Sequence, residues 1–100
     1  MRSETTLRIA PDHPAFAGHF PGAPIVPGVV LLDAAVHALQ QLMGRAGACE
    51  IGAAKFLSPV GPGEQLTIAL DMTPAGGARF EISSAGRKVA TGTLVLAPAP

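Results

Sequence analysis

The sequence predicts an α+β domain in which one central apolar helix is wrapped by a curved antiparallel sheet of about five strands. Three observations carry this reading. A chain of 100 residues has room for one hydrophobic core, so residues 1–100 are expected to form a single domain. One stretch alone, residues 29–43, has the length and the Leu, Ala, Gln and Met content of a buried helix. After Cys49 the chain becomes a succession of alternating segments punctuated by Gly and Pro. A helix that is apolar nearly all round has to be enclosed, and a sheet curving about it is the economical way to do so.

Each element has its own signal. In residues 5–9, Thr6 and Arg8 alternate with Leu7 and Ile9, the pattern of a short half-buried strand. Residues 11–27 hold Pro11, Pro14, Pro21, Pro24 and Pro27 with Gly18 and Gly22. Such a stretch can be neither helix nor paired strand, and a long stiff loop of this kind is usually functional. Pro27-Gly28 opens the helix, and Gly44 and Gly47 stop it. Residues 52–57 read as a short apolar strand and residues 58–63 as a loop. Over residues 64–73, Leu66, Ile68, Leu70 and Met72 share one face against Gln65, Thr67 and Asp71 on the other, the clearest strand signal in the chain. A turn at residues 74–77, a strand at 78–84 around Phe80 and Ile82, a turn at Ala85-Gly86 and a strand at 88–96 complete three consecutive antiparallel strands.

Composition narrows the function. The chain is 48% hydrophobic and 14% charged, with a mean hydropathy of +0.39. That balance excludes disorder and predicts that another chain covers part of its apolar surface. Seven basic residues balance seven acidic ones, so there is no field for nucleic acid and no polybasic stripe for a membrane. The apolar stretch at 29–43 is shorter than the roughly 20 residues of a membrane span. The N-terminus lacks the apolar region of a secretory signal. A single cysteine, Cys49, forms neither a disulfide framework nor a thiolate metal cage, and a cytoplasmic location is expected. Neither a metal nor a cofactor is expected.

Chemistry concentrates between residues 19 and 37. Asp33 interrupts the apolar helix, and burying it without a partner would cost several kcal/mol. It either faces solvent on a partly exposed stripe or has a chemical reason to be there. His37 lies one turn on, on the same face, where it can equally be an ordinary helix-surface pair with Asp33. His19 is flanked by Gly and Pro in Gly18-His19-Phe20-Pro21-Gly22, where a restricted backbone can aim an imidazole or merely leave it solvated. Gly28 is a turn glycine or, at the helix start, an amide able to meet a developing oxyanion. A base, an acid and an amide donor within fifteen residues would suffice for proton abstraction next to a carbonyl.

The string GHFPGAPIVPGVVLLDAAVHAL closely resembles the active-site segment of the 3-hydroxyacyl-acyl-carrier-protein dehydratases, hotdog-fold enzymes of fatty acid and polyketide synthesis. The likeness continues through Lys55-Phe56-Leu57-Ser58-Pro59-Val60, Pro62-Gly63-Glu64-Gln65-Leu66, Gly86 and Ala90-Thr91-Gly92. It implies a hotdog fold and dehydration of a 3-hydroxyacyl thioester, on acyl carrier protein or CoA, to the trans-2-enoyl thioester. By position, His19 is implied as the catalytic histidine, Asp33 as the catalytic acid and Gly28 as the amide that polarises the thioester carbonyl. Phe20, Pro27, His37 and Phe56 are expected to bind substrate. The resemblance also implies that the histidine of one chain faces the acid of its two-fold mate; a homodimer or higher homo-oligomer is expected, or a heterodimer with a related hotdog subunit.

Departures from the pattern shape further expectations. Long-chain dehydratases of the family mostly carry Glu where Asp33 stands. Asp occurs in the branch that also isomerises the double bond and in polyketide dehydratase domains, whose Asp followed four residues on by Gln or His fits Asp33 and His37. Only about fifteen residues precede Phe16, so the N-terminal helix and first strand of typical members are expected to be missing, with an edge or tunnel completed by another subunit. Arg45, Lys55, Arg87 and Lys88 are expected to form a basic rim for an acidic carrier. Rival readings are a hotdog acyl-thioesterase, which needs no His19 loop, a non-catalytic partner subunit, and a small acyl-chain binding module.

Overall fold

The computed structural model describes residues 2–9, 26–61, 63–74 and 76–97. The elements run β1 (Arg2–Arg8), α1 (Gly28–Met43), β2 (Cys49–Phe56), β3 (Gln65–Met72), β4 (Ala78–Ser84) and β5 (Arg87–Leu96). All five strands form one antiparallel sheet in the order β1-β3-β4-β5-β2. The expected α+β architecture is the observed one.

The alternation in β3 delivers what it promises. Leu66, Ile68 and Leu70 are buried and meet Ile82 and Phe80 of β4 and Val89, Ala90, Leu94 and Leu96 of β5 in one cluster. Leu31, Ala35, Ala38 and Leu39 of α1 join that cluster. Ala85 and Gly86 both have positive φ, 51° and 80°, in the two-residue hairpin that returns Ser84 to Arg87, the primed geometry that matches strand twist. Gly44 ends α1 in the left-handed conformation, its N–H reaching back to Gln41 O.

Three expectations are corrected. First, the N-terminal strand is longer than expected: β1 pairs with β3 from Arg2 opposite Asp71 to Arg8 opposite Gln65, so it covers that edge of β3. It starts at Arg2, earlier than the alternation suggests, and stops before Ile9, which is buried in the core. Second, β2 starts at Cys49, because Cys49, Glu50 and Ile51 pair with Leu96, Val95 and Leu94 and the Ala97 N–H bonds to Ala48 O at 2.8 Å. Third, α1 is not enclosed by its own sheet. Val29, Asp33 and His37 are exposed, spaced by the i, i+4 interval that keeps them on one outward stripe opposite the buried residues. Asp33 therefore bears no desolvation cost within one chain. Most of the loop at 11–27 lies outside the described residues.

An irregularity in β2 decides which side chains face the site. Gly52 pairs with Thr93, but the next aligned residue is Lys55, opposite Thr91. Ala53 and Ala54 thus stand opposite Gly92 alone, a β-bulge in which Ala53 takes a φ of 50°. Because strand side chains alternate, one inserted residue switches every later side chain to the other face. Lys55 is thereby turned to the outer surface with Thr91, and Phe56 to the helix side with Ala90. Gly92 serves the same spot from β5: a Cβ there would stand 2.5 Å from Cε2 of buried Phe80.

Candidate active site

The start of α1 faces a cleft of about 410 Å³ lined by Val26, Gly28, Leu31 and the segment Phe56, Leu57, Ser58, Pro59 and Val60. Pro27 sets the entry to the helix with φ −59° and ψ 146° and provides no side-chain cap. The first helical bonds to its carbonyl come from Val30 and Leu31, at 3.0 and 3.4 Å. Gly28 and Val29 precede them, so their N–H groups have no acceptor within the helix and carry the positive end of its dipole. The Phe56 ring lies over Gly28, and a Cβ at residue 28 would sit 2.8 Å from its Cζ. Only glycine lets ring and backbone approach this closely.

Hydrogen bonds fix the opposite wall. Leu57 N–H bonds to Val89 O at 2.8 Å, and the Ser58 hydroxyl donates to Lys88 O at 2.6 Å. Val26 N–H donates to Val60 O at 2.7 Å, joining this wall to the chain two residues ahead of Gly28. Both valines are buried, at 5% and 1% exposure. Next to the wall, Glu64 is held below the usual carboxylate range, chiefly by the Gly61 N–H and also by the Arg87 and Ser84 side chains.

Of the residues singled out by sequence, the fold brings Gly28 and Phe56 together at the cleft, with Pro27 setting the turn into it. Asp33 and His37 do not line it; they occupy the outward stripe of the same helix. His19 and Phe20 lie outside the described residues. Of the four cations expected at a basic rim, two are ion-paired: Arg87 bonds to Glu64 at 2.9 Å and Lys88 lies 3.4 Å from Glu81. The Cys49 thiol is pushed up by burial, which disfavours the thiolate. Sequence reading missed the contribution of Val26, Leu31 and residues 57–60 to the cleft. The signal available was the Ser-Pro-Val-Gly-Pro-Gly run, whose bend after β2 lets the chain fold back against the helix start.

Large apolar side chains remain exposed around this region: Val29 at 71%, Phe56 and Leu57 at 53% and Ile51 at 39%. They lie on the helix stripe and along β2 and its exit, β2 being one of the two edge strands. An open edge bordered by apolar side chains is a pairing surface.

Comparison with known proteins agrees with this architecture. A model of the ApeI-like family, described as ApeI dehydratase, matches residues 1–93. The FabZ 3-hydroxyacyl-acyl-carrier-protein dehydratase of Chlamydia trachomatis serovar L2 is 38% identical over 91 residues, covering 78% of this chain and 60% of its own length. The chain thus spans less than two thirds of that relative. The FabZ protein of Verminephrobacter eiseniae is 34% identical over 103 residues, covering 89% of this chain and 69% of the relative. Among solved structures, the dehydratase heterocomplex ApeI:P from Xenorhabdus doucetiae contains a chain with a TM-score of 0.81 and 26% identity, covering 97% of this chain and 88% of that one. An uncharacterized protein from Erwinia carotovora subsp. atroseptica superimposes with a TM-score of 0.82 and 28% identity, covering 97% and 83%.

Proposed function

The chain belongs to the ApeI-like dehydratase family, and from that premise we propose that it removes water from a 3-hydroxyacyl thioester, giving the trans-2-enoyl thioester in fatty acid or polyketide synthesis. The observation that supports this reading is the start of α1, at the dipole end of the helix, where Gly28 lines a cleft beneath the Phe56 ring. Hydrogen bonding from this amide to the thioester carbonyl stabilises the enolate-like charge that forms when C2 loses a proton. His19 accepts that proton, the C2=C3 bond forms, and the C3–O bond breaks. Asp33 supplies the proton with which the hydroxyl leaves as water, or holds the departing water while His19 returns its proton to the hydroxyl, and His37, one turn away, supports Asp33. Phe20, Pro27, His37 and Phe56 border the acyl chain.

Asp33 points outward from its own chain, so the reading requires a second chain against the α1 stripe. Pairing of β2 with its counterpart would extend the sheet and cover Ile51, Phe56 and Leu57, and on this reading His19 of one subunit serves with Asp33 of the other. The substrate is carried on acyl carrier protein or CoA. A related hotdog subunit is a second candidate for the partner, favoured by the similarity to a chain of the ApeI:P heterocomplex. The presence of both His19 and Asp33 argues against a purely passive role.

The test is turnover of a 3-hydroxyacyl thioester, followed as enoyl product, by the His19→Ala and Asp33→Asn variants. Each is expected to lose more than about 100-fold in kcat with its thermal unfolding intact. Activity within about tenfold of the unmodified chain, only ~1.4 kcal/mol in barrier, would defeat the assignment.

A further inference from the structure

The Gly28 amide has a support that lies outside the cleft. Glu64, the residue before β3, receives the Gly61 N–H on Oε2 at 2.6 Å. Its Oε1 receives the Ser84 hydroxyl at 3.0 Å and Arg87 Nη2 at 2.9 Å. Arg87 spreads its fork over three acceptors, adding Pro59 O at 2.7 Å from Nη2 and Ser84 O at 3.2 Å from Nη1. The pair therefore grips the loop on both sides of Val60, at Pro59 and at Gly61. Val60 is the residue whose carbonyl receives the Val26 N–H. Pro27 then fixes φ between Val26 and Gly28, so the chain leading into the amide is tied to Val60 on its upstream side.

We propose that Glu64 and Arg87 are positioning residues for the Gly28 amide, acting through Pro59, Gly61 and the Val60–Val26 hydrogen bond. The role matches the chemistry of the pair. Two charged groups about one-third to two-fifths exposed, at 32% and 40%, contribute little to stability as an ion pair. What they supply is geometry: the planar guanidinium holds one carboxylate and two carbonyls in fixed directions, which a lysine cannot do. An amide that meets a developing oxyanion is useful only if it is held within a fraction of an ångström. The helix start adds no side-chain restraint of its own, since Pro27 offers no side-chain cap and the first turn contains no acidic residue.

The inference rests on the reading of Gly28 as the carbonyl-polarising amide, and the experiment separates the two. The probes are a 3-hydroxyacyl-CoA thioester for kinetics and the assigned backbone amide signals of Val26 and Gly28 in the full-length protein. Glu64→Gln is compared with Glu81→Gln, which removes another ion-paired carboxylate of the same sheet without touching the loop. Should Glu64→Gln fold poorly, Arg87→Lys makes the same test with the charge kept. Expected are a roughly tenfold fall in kcat, a KM within about twofold, and shifted Val26 and Gly28 amides in Glu64→Gln, with Glu81→Gln unchanged in all three. Unmoved amides in Glu64→Gln, or moved amides with full kcat, would overturn the proposal. Equal losses in Glu64→Gln and Glu81→Gln would overturn it too, by showing a general structural effect. If the unmodified chain turned over no 3-hydroxyacyl thioester, the dehydratase reading would fall, and the amide shifts would still decide whether Glu64 positions Gly28.

Discussion

Replacing Gly28 with alanine should separate activity from stability, because the two depend on different neighbours. The new Cβ would stand 2.8, 3.0 and 3.2 Å from three carbons of the Phe56 ring. Ordinary carbon contact is about 3.5–4.0 Å, so the ring must withdraw by roughly 1 Å. Phe56 is 53% exposed and can do so, at about 0.5–1.5 kcal/mol if its rotamer is forced off its well. Alanine returns about 0.5–1 kcal/mol by restricting the unfolded chain and favouring helix. The two nearly cancel, so unfolding free energy should stay within about 1 kcal/mol of the unmodified chain. Activity has no such compensation. The ring that backs the amide is displaced and a methyl group enters the cleft. A fall of at least about tenfold in kcat/KM for 3-hydroxyacyl thioester is expected, against the roughly 10²–10³ typical of losing an oxyanion donor outright. Urea unfolding and enoyl-product formation measured on one preparation make the comparison. Unchanged turnover, or a stability loss above about 3 kcal/mol, would refute this account of the Gly28–Phe56 contact.

The same substitution at Gly92 should behave in the opposite way. Its Cβ would meet Cε2 and Cζ of Phe80 at 2.5 and 2.7 Å, and Phe80 is 2% exposed, so chemical denaturation should show a loss of about 1–3 kcal/mol or more from overpacking. The Glu64 carboxyl gives a pH signature. Its pKa is lowered in the folded chain, so its contribution is present above the unfolded value near 4.5 and disappears as pH falls through the folded value. Thermal melts should accordingly find the unmodified chain losing its advantage over Glu64→Gln only as the pH drops below about 4.5; an advantage independent of pH over that range would contradict the assignment.

Much of the fold is legible because local chemistry and burial agree. The alternation of Leu66, Ile68 and Leu70, the glycine at residue 44 and the Ala85-Gly86 hairpin each point one way, and the structure follows. Illegibility begins where tertiary pairing overrides pattern. Glu50 sits in β2 because Val95 stands opposite it, and the bulge at Ala53–Ala54 exists because Gly92 and Phe80 need that space. No periodicity marks a bulge. Phe56 is therefore tied to the site in sequence by the family resemblance alone, and its place over Gly28 is invisible in residue spacing. The outward stripe of α1 is obscured for a different reason. Val29, Val36 and Met43 make the helix apolar almost all round, which reads as burial, whereas within one chain burial is complete at Leu31, Ala35, Ala38 and Leu39 and only partial at Val30, Leu32, Ala34, Val36 and Leu42. Likewise, Arg87 and Lys88 look like free cations in sequence, and only the pairing of β4 with β5 and the fold of the preceding loop bring Glu81 and Glu64 to them.

The most direct test of a site shared between subunits is complementation between two inactive chains. His19→Ala and Asp33→Asn are co-expressed with different tags, and the doubly tagged species is purified alongside the random mixture. If each site draws its histidine from one subunit and its acid from the other, half the randomly paired dimers are mixed and each keeps one intact site of two. About a quarter of the unmodified activity should then return in the mixture, by two-fold symmetry. The purified mixed dimer should reach about half. A doubly tagged dimer as inactive as its parents would contradict the account.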